Sequence, residues 1–558
     1  MNSASEHVVP RSLLALSLSS IAIAAMPPQD ENRRTAAADR IEAAGKLIGI
    51  GFTPQEIELM LPSARTMLRN IEALRNKTLG NEIYPAFAFS PYLPGMIRRA
   101  ERYEAPRTKA ASIDDSIERP EKLESLYFAD IRTIGALVHA RKVTCVELTE
   151  LFLARLHALD DQLSFVVSFC EARARATAKR LDDELDAGND RGPLHGIPYG
   201  AKDLLAARGA PTTWGAAPYR EQVFEKDAHV IERLEERGAV LLCKTTLGAL
   251  AMGDVWFGGT TKNPWNPKQG SSGSSAGSAS AVAAGALPFA IGSETLGSIV
   301  SPSVRCGCSS LRPTFGRVAR TGAMTLSWTM DKLGPITRSA QDAAIVFDAM
   351  HGGDGHDPTA RDAPFVMPDS IRPGDVRIGV LRGRWTESGD GSRFLAELEE
   401  LGFRCTEVEL PLFPLGPMLL SIQVEGAAAF DELTRSGRDD ELVRQTRDAW
   451  PNLFRAARLV PAVEYLQANR LRTELMRAYD DAFREFDVLV HPPFAGGVLG
   501  ATNLTGHPTF VAPYGIPGED SAPPSVCFTG QLDDEARLLS VVRTWQTATS
   551  YHTKHPKH

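Results

Sequence analysis

Two turns of this chain are rich in serine hydroxyls and lie close together in the sequence. Residues 270–280 comprise nine Gly or Ser residues and two Ala, and residues 293–298 combine Ser, Thr and Gly. Small side chains let hydroxyls and backbone N–H groups approach one another and a ligand. A serine hydroxyl becomes a good nucleophile only when a base removes its proton, so the chemistry that these turns suggest also needs a base.

Lys202 is a candidate for that base. It lies in the run 196–205 (GIPYGAKDLL), which is otherwise small and apolar except for Asp203. A buried ammonium group is costly, and burial lowers the pKa of a lysine towards the range where the neutral amine can accept a proton. We therefore treat Lys202 as a functional candidate.

The sequence around these residues predicts the elements that would position them. Between the two serine turns, residues 281–285 predict a tightly packed helix and residues 287–291 a buried strand. Residues 239–244 (AVLLCK) predict a central strand. Two hydroxyl-rich turns that flank a short helix–strand unit can meet at the end of a sheet.

Further along the chain, helices and strands alternate. Thr144 and Glu147 form a predicted capping box before an amphipathic helix, and a second helix is predicted over residues 171–187. Residues 375–381 and 404–410 alternate as strands around a helix, which is typical of a βαβ unit. The pattern predicts an α/β fold.

The ordered motifs of this chain resemble those of the amidase signature family of serine hydrolases. Residues 272–278 are similar to its GGSSGGS loop, 279–285 to its small-residue helix, 293–300 to its TDxGGSIR turn, and 306–319 to its CG…LKPTxGRVS tail. Residues 196–203 are similar to its GIPVxxKD segment. The resemblance extends over residues 126–558 and implies a single large α/β/α layered domain with a mixed central sheet.

The resemblance also implies a role for each site residue. Lys202 would be the base, Ser274 a proton relay that follows a cis peptide bond, and Ser298 the nucleophile that carries the acyl group. The backbone N–H groups of Thr295, Leu296, Gly297 and Ser298 would form the oxyanion hole. Ser275 would hold the loop rather than react. The implied reaction is hydrolysis of carboxamide C–N bonds, with no metal or organic cofactor.

This chain departs from the family pattern at several positions. Leu296 replaces a glycine beside the nucleophile, Glu294 replaces an aspartate, and Val300 replaces an arginine. Ser272 and Ala276 replace glycines of the first loop. Because the arginine can meet a substrate carboxylate in relatives, its absence favours neutral, less polar substrates.

The amino-terminal quarter lies outside the resemblance. Residues 28–125 predict a helical extension, in which a capping box of Thr53 and Glu56 marks the start of a helix. Residues 1–27 include an apolar run, 13–26, that is too short to span a bilayer and has the character of a signal or leader segment. Since Arg11 is the one firm positive charge before that run, a cytoplasmic location is favoured over export, and the location remains open.

Composition excludes several classes of partner. The net charge is −8, and the chain lacks a sustained basic run, so nucleic acid is not an expected partner. We expect a small amide substrate and water as reactants and no stable membrane insertion. Whether the chain forms a homodimer is left open, as are the acyl and amine groups of the substrate.

Three other interpretations compete with this one. The first keeps the fold and makes the chain the glutaminase subunit of a tRNA-dependent amidotransferase. The second places an α/β-hydrolase nucleophile at Ser275, because residues 273–277 fit GxSxG, but the preceding residues 263–272 do not predict the strand that this motif needs. The third is a relative that binds amides without turnover, against which the intact Lys202, Ser274 and Ser298 argue.

Overall fold

The computed structural model describes residues 28–75, 80–82, 87–93, 96, 117–381 and 390–557. The predicted leader at 1–27 and part of the predicted extension, namely residues 76–79, 83–86, 94–95 and 97–116, lie outside the described residues. The chain divides into two compact units, Met1–Thr78 and Leu79–His558. The boundary predicted at residue 126 stays a prediction.

Helices and strands alternate through most of the second unit. The helices are α1 Pro28–Leu47, α2 Pro54–Arg75, α3 Ile131–His139, α4 Cys145–Leu163, α5 Glu171–Asp186, α6 His229–Glu236, α7 Ala276–Ala283, α8 Val300–Cys306, α9 Ala340–Met350, α10 Asp390–Glu400, α11 Leu415–Met418, α12 Leu420–Ala429, α13 Asp431–Arg435, α14 Trp450–Ala457, α15 Ala462–Phe483, α16 Val498–Thr505 and α17 Glu535–Thr549. The strands are β1 Val166–Phe169, β2 Pro198–Lys202, β3 Val240–Thr245, β4 Val255–Trp256, β5 Gly259–Thr260, β6 Lys262–Asn263, β7 Asn266–Gly270, β8 Phe289–Glu294, β9 Ser309–Arg312, β10 Lys332–Thr337, β11 Arg377–Leu381, β12 Arg404–Val408, β13 Val488–His491, β14 Thr509–Pro513 and β15 Ser525–Gly530.

Eleven strands form one mixed sheet in the order β1-β3-β2-β8-β10-β9-β14-β15-β13-β11-β12. β2 runs parallel to β3 and β8, and β11 runs parallel to β12 and β13, whereas β10, β14 and β15 pair antiparallel with their neighbours. Helices pack on the sheet, for example α7 on β8, α9 on β10 and α17 on β15. The predicted α/β/α layering with a mixed sheet is confirmed.

Strand order decides which residues meet at one edge of this sheet. β2 and β8 are parallel neighbours, so Lys202 at the end of β2 and Glu294 at the end of β8 reach the same edge. β10 runs the other way beside β8 and begins there, with Lys332 opposite Glu294. The connections that follow β2 and β8 therefore converge at one place, as is common for sites on α/β sheets.

The helix between the serine turns begins earlier than the sequence predicted. α7 starts at Ala276, inside the Gly/Ser run, and all eight of its residues are buried. A Cβ atom on Gly277 would lie 2.3 Å from the Phe165 carbonyl oxygen and 2.4 Å from the Thr246 nitrogen. Close packing on both sides offsets the low helix propensity of Gly and Ser, and only small residues fit.

The first unit contains α1 and α2. Thr53 caps α2: its Oγ1 accepts a hydrogen bond from the Glu56 N–H at 3.3 Å, and its own N–H donates to the Glu56 carboxylate at 2.7 Å. The predicted capping box is confirmed. No helix among the described ranges is both long enough and apolar enough to cross a bilayer.

Candidate active site

Lys202 ends β2 and is completely buried among hydroxyl groups. Its Nζ lies 2.8 Å from Ser274 Oγ, 2.9 Å from Ser293 Oγ and 3.0 Å from Ser275 Oγ. These neighbours are neutral, so none of them compensates a positive charge on the amine. The structure thus brings the predicted base and the predicted relay into direct contact.

Burial holds the pKa of Lys202 well below its usual range, although Asp331 and Glu294 act in the opposite direction. A second fully buried lysine, Lys244, provides a contrast within the same sheet. Its Nζ makes an ion pair with Asp203 at 2.8 Å. Lys202 has no such carboxylate contact among the described residues, and its surroundings favour the neutral amine that can accept a proton.

Ser274 follows the loop that leaves β7, and the peptide bond between Gly273 and Ser274 is cis. A Cβ atom on Gly273 would lie 1.9 Å from the Gly253 carbonyl oxygen, so this position admits only glycine. Ser274 is fully buried. The side chain that contacts Lys202 is therefore held in a closely packed loop.

Ser275 links the first serine turn to β8. Its Oγ donates to the Ser293 carbonyl at 3.1 Å and accepts from the Ser293 N–H at 3.1 Å. Because both bonds are to main chain, the hydroxyl acts as a crosslink between the two turns. The same oxygen also accepts a hydrogen bond from Lys202 at 3.0 Å, and the role of Ser275 in holding the loop stays a prediction.

Ser298 lies in the turn between β8 and α8 and is 8% exposed. Its carbonyl oxygen accepts a hydrogen bond from the Ser275 N–H at 3.1 Å, which ties the two serine turns together. Within the described part of the chain its hydroxyl makes no hydrogen bond, so Ser274 and Ser298 are neighbours whose hydroxyls are not bonded to each other. Hydrogen bonds between catalytic groups commonly tighten only when substrate is bound.

Glu294 shapes the turn that carries Ser298. Its Oε2 accepts hydrogen bonds from the N–H groups of Ile299 at 2.8 Å and Val300 at 2.9 Å. Its Oε1 lies 2.8 Å from the Arg312 guanidinium, and both side chains are fully buried. Burial opposes ionisation of Glu294, but Arg312, Lys332 and the hydrogen bonds outweigh it and lower its pKa to about 2.

The N–H groups before Ser298 have a different environment. Among the described residues, no acceptor lies within hydrogen-bonding distance of the N–H groups of Leu296, Gly297 or Ser298. Thr295 is oriented by its side chain, whose Oγ1 donates to Asp331 at 2.6 Å. Glu294 therefore satisfies the donors after Ser298, while those before it remain available to a developing oxyanion.

A small cavity of about 10 Å³ lies beside this turn. Ser293 and Thr295 are among the residues that line it. The remaining lining is largely apolar and comprises Leu204, Ala251, Ala323, Met324, Thr325, Leu326 and Leu333, together with Arg320 and Asp331. The charge of Arg320 is compensated by an ion pair with Asp357 at 3.0 Å, so the cavity favours an uncharged group.

Two contributors to the site were not singled out from the sequence. Ser293 places its hydroxyl 2.9 Å from Lys202, and Asp331 contacts Thr295 from the start of β10. The position of Ser293 as the first hydroxyl of the second turn was a usable signal. Asp331 lies 36 residues after Thr295, and no local pattern predicts that contact.

We expect Glu294→Gln to destabilise the fold by about 3 kcal/mol at pH 7, because it leaves the Arg312 guanidinium buried without its counter-charge. The ionised carboxylate stabilises the wild type fully above pH 4.5, and this contribution is lost as the pH falls towards 2. The difference between the two proteins in urea unfolding should therefore shrink over that window. Glu464→Gln, on the exposed face of α15, is the control; equal stability of Glu294→Gln and wild type at pH 7 would refute the assignment.

The comparisons with known proteins show the family to which this chain belongs. A sequence model of the family described as Amidase matches residues 147–523. A glutamyl-tRNA(Gln) amidotransferase subunit from Roseiflexus sp. (strain RS-1) is 32% identical over 466 residues, covering 74% of this chain and 95% of that protein. An amidase from Pseudomonas putida is 31% identical, and the alignment covers 78% of this chain and 99% of that protein.

Solved structures show the same fold. The native peptide amidase from Stenotrophomonas maltophilia superposes with a TM-score of 0.66 at 27% identity, covering 77% of this chain and 98% of that one. A bacterial aryl acylamidase of the amidase signature family superposes with a TM-score of 0.68 at 20% identity, and the superposition covers 77% of this chain and 98% of that one. The second likeness concerns the fold alone.

Proposed function

Because this chain belongs to the amidase family and is a hydrolase of amide C–N bonds, we propose that it cleaves carboxamides of neutral, apolar acids through an acyl-enzyme on Ser298. The observation that carries this proposal is the buried Lys202 amine, which contacts the Ser274 hydroxyl at 2.8 Å and lacks a carboxylate partner among the described residues. That environment favours a neutral amine ready to act as a base.

In the proposed mechanism, protons move along two hydroxyls. Lys202 takes the proton of Ser274, Ser274 takes the proton of Ser298, and Ser298 Oγ bonds to the carbonyl carbon of the amide. The carbonyl oxygen becomes an oxyanion, which the N–H groups of residues 295–298 stabilise. The contact between the Ser274 and Ser298 hydroxyls forms when substrate fills the site.

Breakdown of the tetrahedral intermediate releases the amine. The relay returns a proton to the departing nitrogen, the C–N bond breaks, and the acyl group remains as an ester of Ser298. Water then gives up a proton to the same relay and attacks the ester carbonyl. The C–O bond to Ser298 breaks, the acid leaves, and the serine hydroxyl regains its proton.

The surroundings of the turn support an uncharged acyl group. Val300, which stands where the family carries an arginine, is fully buried and packs with Val511 and Cys527. The cavity beside Thr295 is lined mainly by aliphatic side chains. The absence of a cation at position 300 and the largely aliphatic lining of the cavity favour neutral acyl groups over carboxylate-bearing ones.

A second candidate is glutamine hydrolysis within an amidotransferase. The observation that favours it is the name of several relatives at 30–32% identity, which are subunits of glutamyl-tRNA(Gln) amidotransferases. That activity would depend on partner proteins. Glutamine also carries the charged ammonium and carboxylate groups of a free amino acid into the site. The apolar lining favours the first candidate.

The test measures hydrolysis of a panel of substrates by the purified protein. The panel extends from short aliphatic amides to anilides and carbamates, and glutamine is tested separately. Release of ammonia or amine from neutral amides supports the proposal. Release from glutamine alone would support the second candidate instead. No release from any amide by a folded protein whose Ser298 does not react with a fluorophosphonate would refute catalysis by this site.

A further inference from the structure

Asn81 contacts the wall of the cavity next to the proposed nucleophile. Its Nδ2 donates to the Thr325 carbonyl oxygen at 2.9 Å, and its Oδ1 accepts from the Thr325 N–H at 2.6 Å. The side-chain amide thus pairs with both polar groups of one residue's main chain, as a neighbouring strand would. Asn81 lies outside the residues 147–523 that match the family.

Thr325 is the middle of the three residues Met324, Thr325 and Leu326, which we call the acyl wall. These residues line the cavity together with Ser293 and Thr295. The cavity volume of about 10 Å³ is close to the smallest space that holds one water molecule, ~10–15 Å³. The position of the acyl wall therefore decides how large an acyl group can enter.

The acyl wall has separate anchors along its length. The Met324 N–H donates to the Leu204 carbonyl at 2.9 Å, and the Leu326 N–H donates to Asp331 at 2.8 Å. Between them, Asn81 is the hydrogen-bonding partner of the Thr325 main chain within the described residues. Removing its amide would free the middle of the wall while leaving both ends attached.

Residues 87–93, the next described stretch after residues 80–82, make their contacts away from this wall. The ring of Phe89 lies 5.0 Å from the Phe315 ring, centroid to centroid, and 3.6 Å from the Arg472 guanidinium. The Tyr92 hydroxyl donates to Asp533 at 2.5 Å. These contacts are separate from the pair that Asn81 makes with Thr325.

We infer that Asn81 is a positioning residue that limits acyl size: by holding Thr325, it keeps the acyl wall against Thr295 and selects amides with small, neutral acyl groups. The inference rests on the proposed function, because it concerns the substrate of the same site. Asn81 precedes the residues that match the family, and this inference gives it a role in substrate selection.

The test compares kcat/KM for acetamide, propionamide, benzamide and decanamide in wild type and Asn81→Ala. We expect the ratio of kcat/KM for the large amides to that for acetamide to rise about tenfold in the variant, the change expected when one or two net hydrogen bonds are lost. The gain should appear mainly as a lower KM for the large amides. Asn81→Asp, which keeps the acceptor for the Thr325 N–H but cannot donate to its carbonyl, should shift the ratio in the same direction.

Tyr92→Phe is the matched control, since it removes one hydrogen bond made by residues 87–93, away from the acyl wall. Its melting temperature can fall, but its acyl preference should equal that of wild type. An unchanged ratio in both Asn81 variants would overturn the inference, and so would an equal shift in Tyr92→Phe. If wild type hydrolyses no amide, the proposed function fails; if it hydrolyses amides with an unaltered preference in the variants, only the role of Asn81 fails.

Discussion

Ser298→Ala is expected to reduce amide hydrolysis by about 10⁴-fold or more, the order of loss seen when a serine nucleophile is removed from a hydrolase. The Ser298 hydroxyl follows directly on the free N–H groups of Leu296 and Gly297, where an oxyanion would form. Stability should hardly change, because this hydroxyl makes no hydrogen bond among the described residues and its removal leaves no buried partner unsatisfied. Ammonia release and thermal unfolding measure the two effects separately.

Covalent labelling provides the independent readout for Ser298. A fluorophosphonate should add to the wild-type peptide that contains Ser298 and should not add to the alanine variant. Ser301→Ala is the matched control: its hydroxyl lies in the first turn of α8, 2.9 Å from Ser272 Oγ, and has no part in the proposed reaction. Persistent labelling of Ser298→Ala would assign the nucleophile to Ser274 or Ser275.

Lys202→Met is expected to lower kcat by about 10³-fold or more, because Ser274 then has no base to receive its proton and the relay cannot activate Ser298. Methionine has a similar length and no polar group, so the site should keep its shape. The loss should fall on kcat rather than KM, since Lys202 is not expected to touch the substrate. Turnover equal to wild type would remove the lysine from the mechanism.

The stability of this variant distinguishes a base from a structural lysine. Lys202 has a depressed pKa in the folded protein, so the unfolded chain binds the extra proton and the stability of wild type should rise with pH up to the ordinary lysine pKa of 10.5. Lys202→Met should lack that rise and be at least as stable at pH 7. Lys244→Met is the contrasting control: it leaves Asp203 buried without its partner and should cost about 3–5 kcal/mol.

Local sequence was most informative where chemistry and secondary structure depend on neighbouring residues. The capping box at Thr144 and Glu147, which begins α4, could be predicted because its bonds join residues three apart. The strands around α10 were likewise predicted, and β11 and β12 pair in parallel as expected. In both cases the pattern and the structure it encodes lie within a few residues of each other.

Predictions from local sequence were less accurate where tertiary packing overrides propensity. The start of α7 at Ala276 depends on the close approach of Phe165 and Thr246 to Gly277, and neither contact is visible in a run of Gly and Ser. β8 begins at Phe289, two residues later than predicted, and continues through Glu294. Strand pairing with β2 and β10 decides those limits.

The sequence by itself determined the fold class, the family and the three candidate residues Lys202, Ser274 and Ser298. The types and the order of these residues form a motif that can be identified from the sequence alone. Only the tertiary structure decided how that motif is supported. The Glu294–Arg312 ion pair joins β8 to β9, and Asn81 reaches Thr325 across 244 residues of chain. Such contacts depend on sheet order and packing between distant segments, and no periodicity along the chain encodes them.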